Sequence, residues 1–387
     1  MRRLTGVISM EFGFFCGGYL PKAMRTSPDA EHDRLMSEIR LAQVADQNNW
    51  KYFWTTEHHF LDEYSHISAS EVMLAHVAAT TERIHVGSGI FNITPPVNHP
   101  IRTAERVAML DHLSGGRFEF GTGRGSSTTE QRGFGIDDPE LTREMYDEVI
   151  GEFRKMWSQD EYSFDGKYFS VPPRKILPKP YVKPHPPMWV AAGNPGTFEK
   201  AGRMGLGVLC FTTGAPSKLA PMIEIYKDAI SKAEPVGDYI NDNVAVTTNF
   251  MCLEDREEAI DLMMNSGNGY HQSLVFRYLD TFPKPKGLPD WPALIPDPTR
   301  EQIEAGIAAG VSIVGSPDDC SEIIKGIENI GADTILLGPS SSMYPHDVME
   351  RTMKLFGQEV IPRFDLDPSQ TKTARLRKEA AVRLGLI

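Results

Sequence analysis

The sequence has no long apolar run, few cysteines and no excess of positive charge, and each absence argues against a class of protein. No stretch of 18 or more apolar residues occurs, so we expect no membrane span. The net charge of −12 argues against nucleic acid or an anionic membrane as the main partner. The basic N-terminus is not followed by a convincing signal peptide, so we expect a cytoplasmic protein.

Cysteine usage supports the same interpretation. The chain contains four cysteines among 387 residues, at no spacing typical of a metal site: Cys16, Cys210, Cys252 and Cys320. Reduced thiols in a cytoplasmic protein are the simplest account of this pattern. We therefore expect neither a disulfide framework nor a metal centre.

The sequence does contain a regular alternation of short apolar runs and helical patterns, which is typical of βα units and a parallel sheet. Hydrophobic residues make up 41% of the chain, enough for a large core. Eight strand–helix pairs are predicted, with strands at 5–12, 52–56, 84–90, 118–122, 188–192, 207–211, 244–253 and 334–337. We expect a single α/β domain over residues 1–387, a (β/α)₈ TIM barrel with a peripheral C-terminal tail from about residue 363.

Two segments do not fit the alternation and are predicted to be insertions. Asp165-Gly166 between aromatic-rich runs predicts a small β excursion near 162–170. The segment 266–309 is rich in proline and glycine and is predicted to be a long irregular insertion. Such segments are usually lids or binding loops, although a passive surface loop is the alternative.

The second predicted strand runs directly into ionisable residues. Glu57, His58 and His59 follow the apolar residues Tyr52 to Trp54, and the carboxyl ends of barrel strands form the mouth where active sites lie. Adjacent residues of an extended chain point to opposite sides, so the two histidines should differ in role. One buried structural histidine and one surface histidine remain the alternative.

Two glycine-bearing loops follow the fourth and fifth predicted strands. The first contains Arg124 and Gly125, and the second, with Gly193, Asn194 and Thr197, opens a helix. A guanidinium matches phosphate geometry, and helix N-termini favour anions. Together the loops predict a phosphate site, and tight turns without a ligand are the alternative for each.

The third strand ends in Gly87-Ser88-Gly89-Ile90-Phe91-Asn92. Glycines here would let a flat ligand approach the backbone, or would serve close strand packing. His99 lies in the proline-rich loop that follows, where it could be held at the mouth or lie on the surface.

These motifs, in this order and spacing, resemble the bacterial luciferase-like flavin-dependent monooxygenase family over residues 4–362. The resemblance is carried by residues 54–60, 86–89, 99–100 and especially 110–118 running into 121–125. It implies a TIM barrel that binds reduced FMN, delivered by a separate flavin reductase. It further implies reaction with O₂ through a C4a-hydroperoxyflavin and oxygenation of a small organic substrate. Family members are commonly homodimers.

The resemblance also implies residue roles. It makes His58 the catalytic residue and places a non-prolyl cis peptide at Gly89-Ile90 beneath the flavin ring. The remaining positions implied for cofactor binding are Arg124, Gly125, Glu130, Ala192, Gly193, Asn194 and Thr197. Positions that could contact the substrate or support the site are Glu57, His59, Asn92 and His99. No metal ligand is implied.

Two departures limit what the resemblance implies. Gly123 stands where luciferase has a cysteine, so light emission is not implied. The 266–309 insertion matches the mobile lid of the family in place but not in sequence, so the substrate is not implied either. Two alternatives remain, a deazaflavin-dependent dehydrogenase on the same barrel and a flavin-binding protein without catalysis.

Overall fold

The computed structural model describes residues 9–211, 214–282, 284–339 and 343–387. The strands are β1 (Glu11–Cys16), β2 (Tyr52–Thr55), β3 (His85–Ser88), β4 (Phe91–Asn92), β5 (Phe118–Gly123), β6 (Tyr162–Asp165), β7 (Ser170–Arg174), β8 (Met188–Ala191), β9 (Gly207–Phe211), β10 (Val244–Cys252), β11 (Ser312–Gly315) and β12 (Thr334–Gly338). Eight of them are parallel and close into a barrel in the order β1-β2-β3-β5-β8-β9-β10-β12, with β12 pairing back onto β1. The predicted TIM barrel is confirmed.

Helices connect the strands and cover the barrel. They are α1 (Ala30–Gln47), α2 (Ser70–Ala79), α3 (Pro100–Leu113), α4 (Thr128–Gly133), α5 (Leu141–Ile150), α6 (Glu152–Ser158), α7 (Pro195–Arg203), α8 (Ala220–Ile230), α9 (Arg256–Met264), α10 (Asn268–Tyr278), α11 (Arg300–Ala308), α12 (Pro317–Asn329), α13 (His346–Leu355) and α14 (Lys372–Arg383). Among the described residues, no helix is both long and apolar enough to span a bilayer.

The barrel interior is filled by side chains from several of its strands. Trp54 and Trp189 meet edge to face with ring centroids 5.5 Å apart. Tyr52, Leu209, Ala245 and Leu336 complete this inner cluster, and Phe15 and Ile90 pack on it while remaining partly exposed. The interior is therefore a packed core rather than a channel.

The first strand was predicted too early in the chain. The structure places it at Glu11–Cys16, and the predicted residues 5–8 lie outside the described part. Gly13 lies in the middle of β1. A Cβ at Gly13 would lie 2.7 Å from Tyr52 Cβ on the neighbouring strand. Glycine is therefore required here by the close approach of two strands.

The hairpin prediction is confirmed, because β6 and β7 pair antiparallel around Gly166. The 266–309 insertion is more ordered than predicted. It contains α10 and α11, and α11 begins with a capping box formed by Thr299 and Gln302. The proline and glycine content concealed these helices because it is concentrated in the segment between them. The extra strand β11, which pairs with the end of β10, was not predicted.

Charged side chains close the end of the barrel opposite the mouth. Lys51 Nζ lies 2.9 Å from both Glu11 Oε1 and Asp365 Oδ2. Glu119 accepts a hydrogen bond from Thr373 (2.6 Å). These contacts place buried side chains from the segment beyond residue 363 against the strands, although the sequence predicted a peripheral tail.

Arg377 on α14 fixes the same segment to the barrel. Its guanidinium donates to both carboxylate oxygens of Asp111, at 2.9 and 2.8 Å, and both side chains are almost fully buried. The C-terminal helix is therefore attached by a bidentate ion pair as well as by the hydrogen bond from Thr373 to Glu119.

Candidate active site

His58 follows β2 at the barrel mouth and faces a carboxylate from another element. Its Nδ1 lies 3.2 Å from Glu130 Oε1, and the same carboxylate oxygen accepts the backbone N–H of His59 at 2.7 Å. An ionised carboxylate can only accept, so Nδ1 carries the proton. Nε2 is then left to accept or donate a proton, as in other histidine–carboxylate pairs.

Tyr64 packs on the same histidine. Its ring meets the His58 ring with centroids 5.4 Å apart. Burial, followed by the nearby charge of Glu130, raises the pKa of Tyr64, so this phenol stays neutral at ordinary pH. Tyr64 therefore limits the orientation of the imidazole without competing for its proton.

His59 has different partners from His58. Its Nε2 lies 3.5 Å from Glu57 Oε1, and its ring packs edge-on against Phe134. Glu57 is buried and accepts hydrogen bonds from Ser70 Oγ (3.2 Å) and Asn98 Nδ2 (2.8 Å). The two adjacent histidines thus point to separate carboxylates.

Arg124 lies where β5 ends, half-buried and without a carboxylate partner among the described residues. Its Nη1 donates to Thr142 Oγ1 at 2.8 Å. Burial, and after it the nearby charge of Arg143, lowers the pKa of Arg124, and the carboxylates of Glu140 and Asp147 oppose this shift only in part. A partly desolvated guanidinium beside a second cation is an environment that an anion would stabilise.

Helix α7 packs against α5, the helix that contacts this arginine. Lys200 on α7 contacts Asp147 on α5, the helix that also carries Thr142. Asn194 caps α7, accepting from the Thr197 N–H at 3.0 Å. Gly193 and Asn194 are exposed, whereas Ala192 is buried. The two loops predicted to form an anion site therefore lie on neighbouring strands.

The floor of the mouth is formed by the end of β3. The Gly89-Ile90 peptide bond is cis, as the family resemblance implied. A Cβ at Gly89 would lie 3.1 Å from the Phe15 ring. Asn92 is buried, and its Nδ2 lies against Gly125 of the arginine loop.

His99 is not brought to this group of residues. It is exposed at the N-cap of α3, where its Nδ1 accepts the Ile101 N–H, and its ring packs against Phe169 of the hairpin. Sequence reasoning missed Asn98 and Thr142, which support Glu57 and Arg124. Neither belongs to a motif, because each acts through a contact between segments distant in sequence.

Fold and site together define an α/β-barrel protein whose mouth combines a histidine–carboxylate pair with a half-buried arginine and an open helix N-terminus. The chain belongs to the luciferase-like monooxygenase family, whose model matches residues 10–334.

Three known proteins illustrate the range of relatives. The 4-hydroxyprotoasukamycin monooxygenase of Streptomyces nodosus subsp. asukaensis is 27% identical over 345 residues, which cover 86% of this chain and 87% of that protein. The oxygenating constituent of 3,6-diketocamphane monooxygenase from Pseudomonas putida, solved in complex with FMN, superposes with a TM-score of 0.74 at 20% identity, over 92% of this chain and 99% of that one. The coenzyme F₄₂₀-dependent tetrahydromethanopterin reductase of Methanopyrus kandleri has a TM-score of 0.64 at 22% identity, with 92% and 99% covered. At these identities the two structures share the fold with this chain.

Proposed function

We propose that this protein is the oxygenase of a two-component system that uses reduced FMN and O₂ to oxygenate a small organic substrate. A separate flavin reductase would supply the reduced FMN. The observation that carries the proposal is the His58–Glu130 pair at a barrel mouth that also holds an unpaired arginine. The diketocamphane enzyme, described as an oxygenating constituent with FMN, supports the cofactor and the division into components.

The residues present fit a phosphorylated flavin. Arg124 is half-buried with one neutral hydrogen-bond partner, and the exposed N-terminus of α7, which follows the neighbouring strand β8, offers further donors. A Cβ at Gly193 would meet nothing within 4 Å, so the loop before α7 has open space in front of it. Arg124, Gly125, Asn194 and Thr197 would hold the phosphate, and Gly89 and Ile90 would lie beneath the ring. Phe15 and Ile90 supply apolar surface there.

His58 would transfer a proton at its Nε2 atom while Glu130 holds the ring through Nδ1. A flavin, when bound, supplies the reaction with oxygen. The chain's own residues position the reactants, keep water out and move the proton. The edge-on and tilted ring contacts among His59, Phe60 and Phe134 lie on the other side of this loop.

The test uses the purified protein with an added flavin reductase, NADH, FMN and a panel of small organic substrates. We expect His58→Ala to bind FMN like the wild type but to lose most of the product. His32→Ala, on the exposed start of α1, is the matched control. Undiminished product formation by His58→Ala would refute the catalytic role.

A deazaflavin-dependent dehydrogenase is the second candidate, because the F₄₂₀-dependent reductase has the same fold. It would transfer hydride without consuming oxygen. Incubation with each reduced cofactor while dissolved O₂ is monitored separates the two, since only the monooxygenase consumes O₂ in proportion to product. A flavin-binding protein without catalysis would form product with neither.

We also propose that the protein acts as a cytoplasmic homodimer. Large apolar side chains on the outer helices α1, α2 and α3 are exposed, namely Met36, Val72, Met109 and Leu113. Covering them against a second copy would remove apolar surface from water. Sedimentation analysis of Val72→Glu with Leu113→Glu tests this, and an unchanged sedimentation coefficient would contradict it.

A further inference from the structure

Helix α10 crosses the mouth between the two loops that carry His58 and Glu130. Its first turn is attached on the His58 side. Tyr270 Oη donates to Glu63 Oε2 at 2.7 Å, and Glu63 lies in the same loop as His58. Glu63 is fully buried, and the same oxygen accepts the Lys22 N–H at 2.7 Å. One end of α10 is therefore fixed to a rigid carboxylate.

The other end of α10 is attached to the loop that carries Glu130. Asp280 Oδ1 accepts the Thr128 backbone N–H at 2.9 Å, and its second oxygen accepts the Thr128 hydroxyl. Thr281 Oγ1 donates to the Ser126 carbonyl at 2.8 Å. Thr128 is the first residue of α4, and Glu130 lies in its first turn.

α4 is too short to be stable by itself. It spans six residues, and helices of this length depend on capping and tertiary contacts. Its N-cap hydrogen bond from the Glu130 N–H to Ser127 Oγ is long, at 3.5 Å. Asp280 supplies both a better acceptor and a negative charge at the positive end of the helix.

α10 also reaches His58 through packed rings. His271 stacks on Tyr64 with centroids 6.1 Å apart, and Tyr64 packs edge-on against His58. The insertion thus contacts both members of the His58–Glu130 pair indirectly, one through Tyr64 and the other through Thr128.

We propose that Asp280 is a positioning residue, which holds the start of α4 and thereby directs the Glu130 carboxylate at His58. Docking of α10 across the mouth would then also align Glu130 with His58. The inference rests on the proposed function only in giving His58 the role of proton transfer.

The test compares Asp280→Ala with a matched control in the same insertion, Asp290→Ala. Asp290 is also exposed, and its described partner is Lys284 of the insertion itself. In the ligand-free protein we would measure amide hydrogen exchange and the ¹⁵N shifts of the His58 ring. Asp280→Ala should accelerate exchange in both α4 and α10 by about tenfold or more. It should also shift the His58 ring nitrogens, while Asp290→Ala changes neither.

Asp280→Asn provides a rescue, because its amide oxygen can still accept the Thr128 N–H and should keep exchange in α4 slow. During turnover, Asp280→Ala should yield less product per reduced flavin. Unchanged exchange in α4 with unchanged His58 shifts overturns the proposal, even if α10 itself loosens, because Asp280 would then only fasten a lid. The exchange and ¹⁵N measurements need no turnover. Failure of the wild type to form product would therefore refute the proposed function, but it would leave the effect of Asp280 on α4 and His58 unaffected.

Discussion

Removing the guanidinium of Arg124 should weaken binding of FMN without weakening binding of riboflavin. The side chain is half-buried, and its hydrogen-bond partner among the described residues is a neutral hydroxyl, Thr142 Oγ1. Arg124→Ala therefore breaks no ion pair in the described structure, and the fold should tolerate it. Its effect should appear in the binding of an anion.

The magnitude follows from the strength of a charge-assisted hydrogen bond. Such a bond contributes about 1.5–3 kcal/mol, which corresponds to roughly a 10- to 150-fold change in Kd. We expect the lower part of this range, because solvent screens a half-exposed charge. Riboflavin has no phosphate, so its Kd should change by less than about twofold.

Anaerobic fluorescence titrations give the Kd of FMN and of riboflavin for the wild type and for Arg124→Ala. These four values form a double-mutant-type cycle that isolates the contribution of the Arg124–phosphate contact to the binding free energy. Arg203→Ala is the control, since Arg203 is exposed at the C-terminal end of α7 and pairs with Glu199 on the same helix. An equal loss of affinity for both flavins would show that Arg124 supports the loop rather than binding phosphate. No loss for FMN would refute the anion site.

Three further predictions concern the His58–Glu130 pair, the C-terminal helix α14 and helix α10. Glu130→Gln should reduce product formation in the coupled reductase assay, because the ring of His58 loses its charged partner. The expected loss is about 10²-fold, the low end of what proton-transfer catalysis contributes. Full activity of this variant would contradict the role of the pair. Arg377→Met leaves Asp111 buried and unpaired, which should cost about 3–5 kcal/mol in urea unfolding, whereas exposed Arg375→Met should cost almost nothing. Burial lowers the pKa of His271 to about 4 when α10 is docked. An exposed imidazole has a pKa of about 6.5, so protonation favours the undocked helix. Docking should therefore be complete above about pH 6.5 and be lost as the pH falls towards 4. Hydrogen exchange of α10, corrected for intrinsic rates, measures this, and a pH-independent protection would contradict it.

The two aromatic neighbours of His271 do not add to the pH dependence of hydrogen exchange in α10. It packs on the rings of Tyr19 and Tyr64, and burial raises the pKa of both phenols, so neither changes charge in the acid range. Burial is the cause of the shift at His271 itself. The two phenols that face His271 therefore contribute no titration of their own in this range.

The barrel and much of the mouth could be predicted from sequence because both depend on local order. Parallel strands read as apolar runs, so most strand positions were correct within a residue or two, as at 207–211. The residues that follow those runs must meet at one end of the barrel. This reasoning located His58, Arg124 and Asn194 without any knowledge of contacts.

Contacts between distant segments could not be predicted in this way. Nothing in the sequence near residue 280 indicates that Asp280 caps a helix that begins at Thr128. The burial of Arg377 was missed for a related reason, because a basic tail normally predicts a solvated surface and Asp111 lies far away along the chain. Such pairs become visible only when the topology brings their elements together.

The glycine at 123 shows how a departure from the family can be explained by packing. A Cβ at Gly123 would lie 2.7 Å from Ile90 Cδ1, closer than side-chain atoms can approach. Ile90 therefore occupies the space that a cysteine at 123 would need, and the identities of the two positions are coupled. Ile90 packs on the inner cluster of the barrel while remaining partly exposed. Glycine at 123 thus leaves room for a large side chain at 90, which extends the apolar floor of the mouth towards the arginine loop.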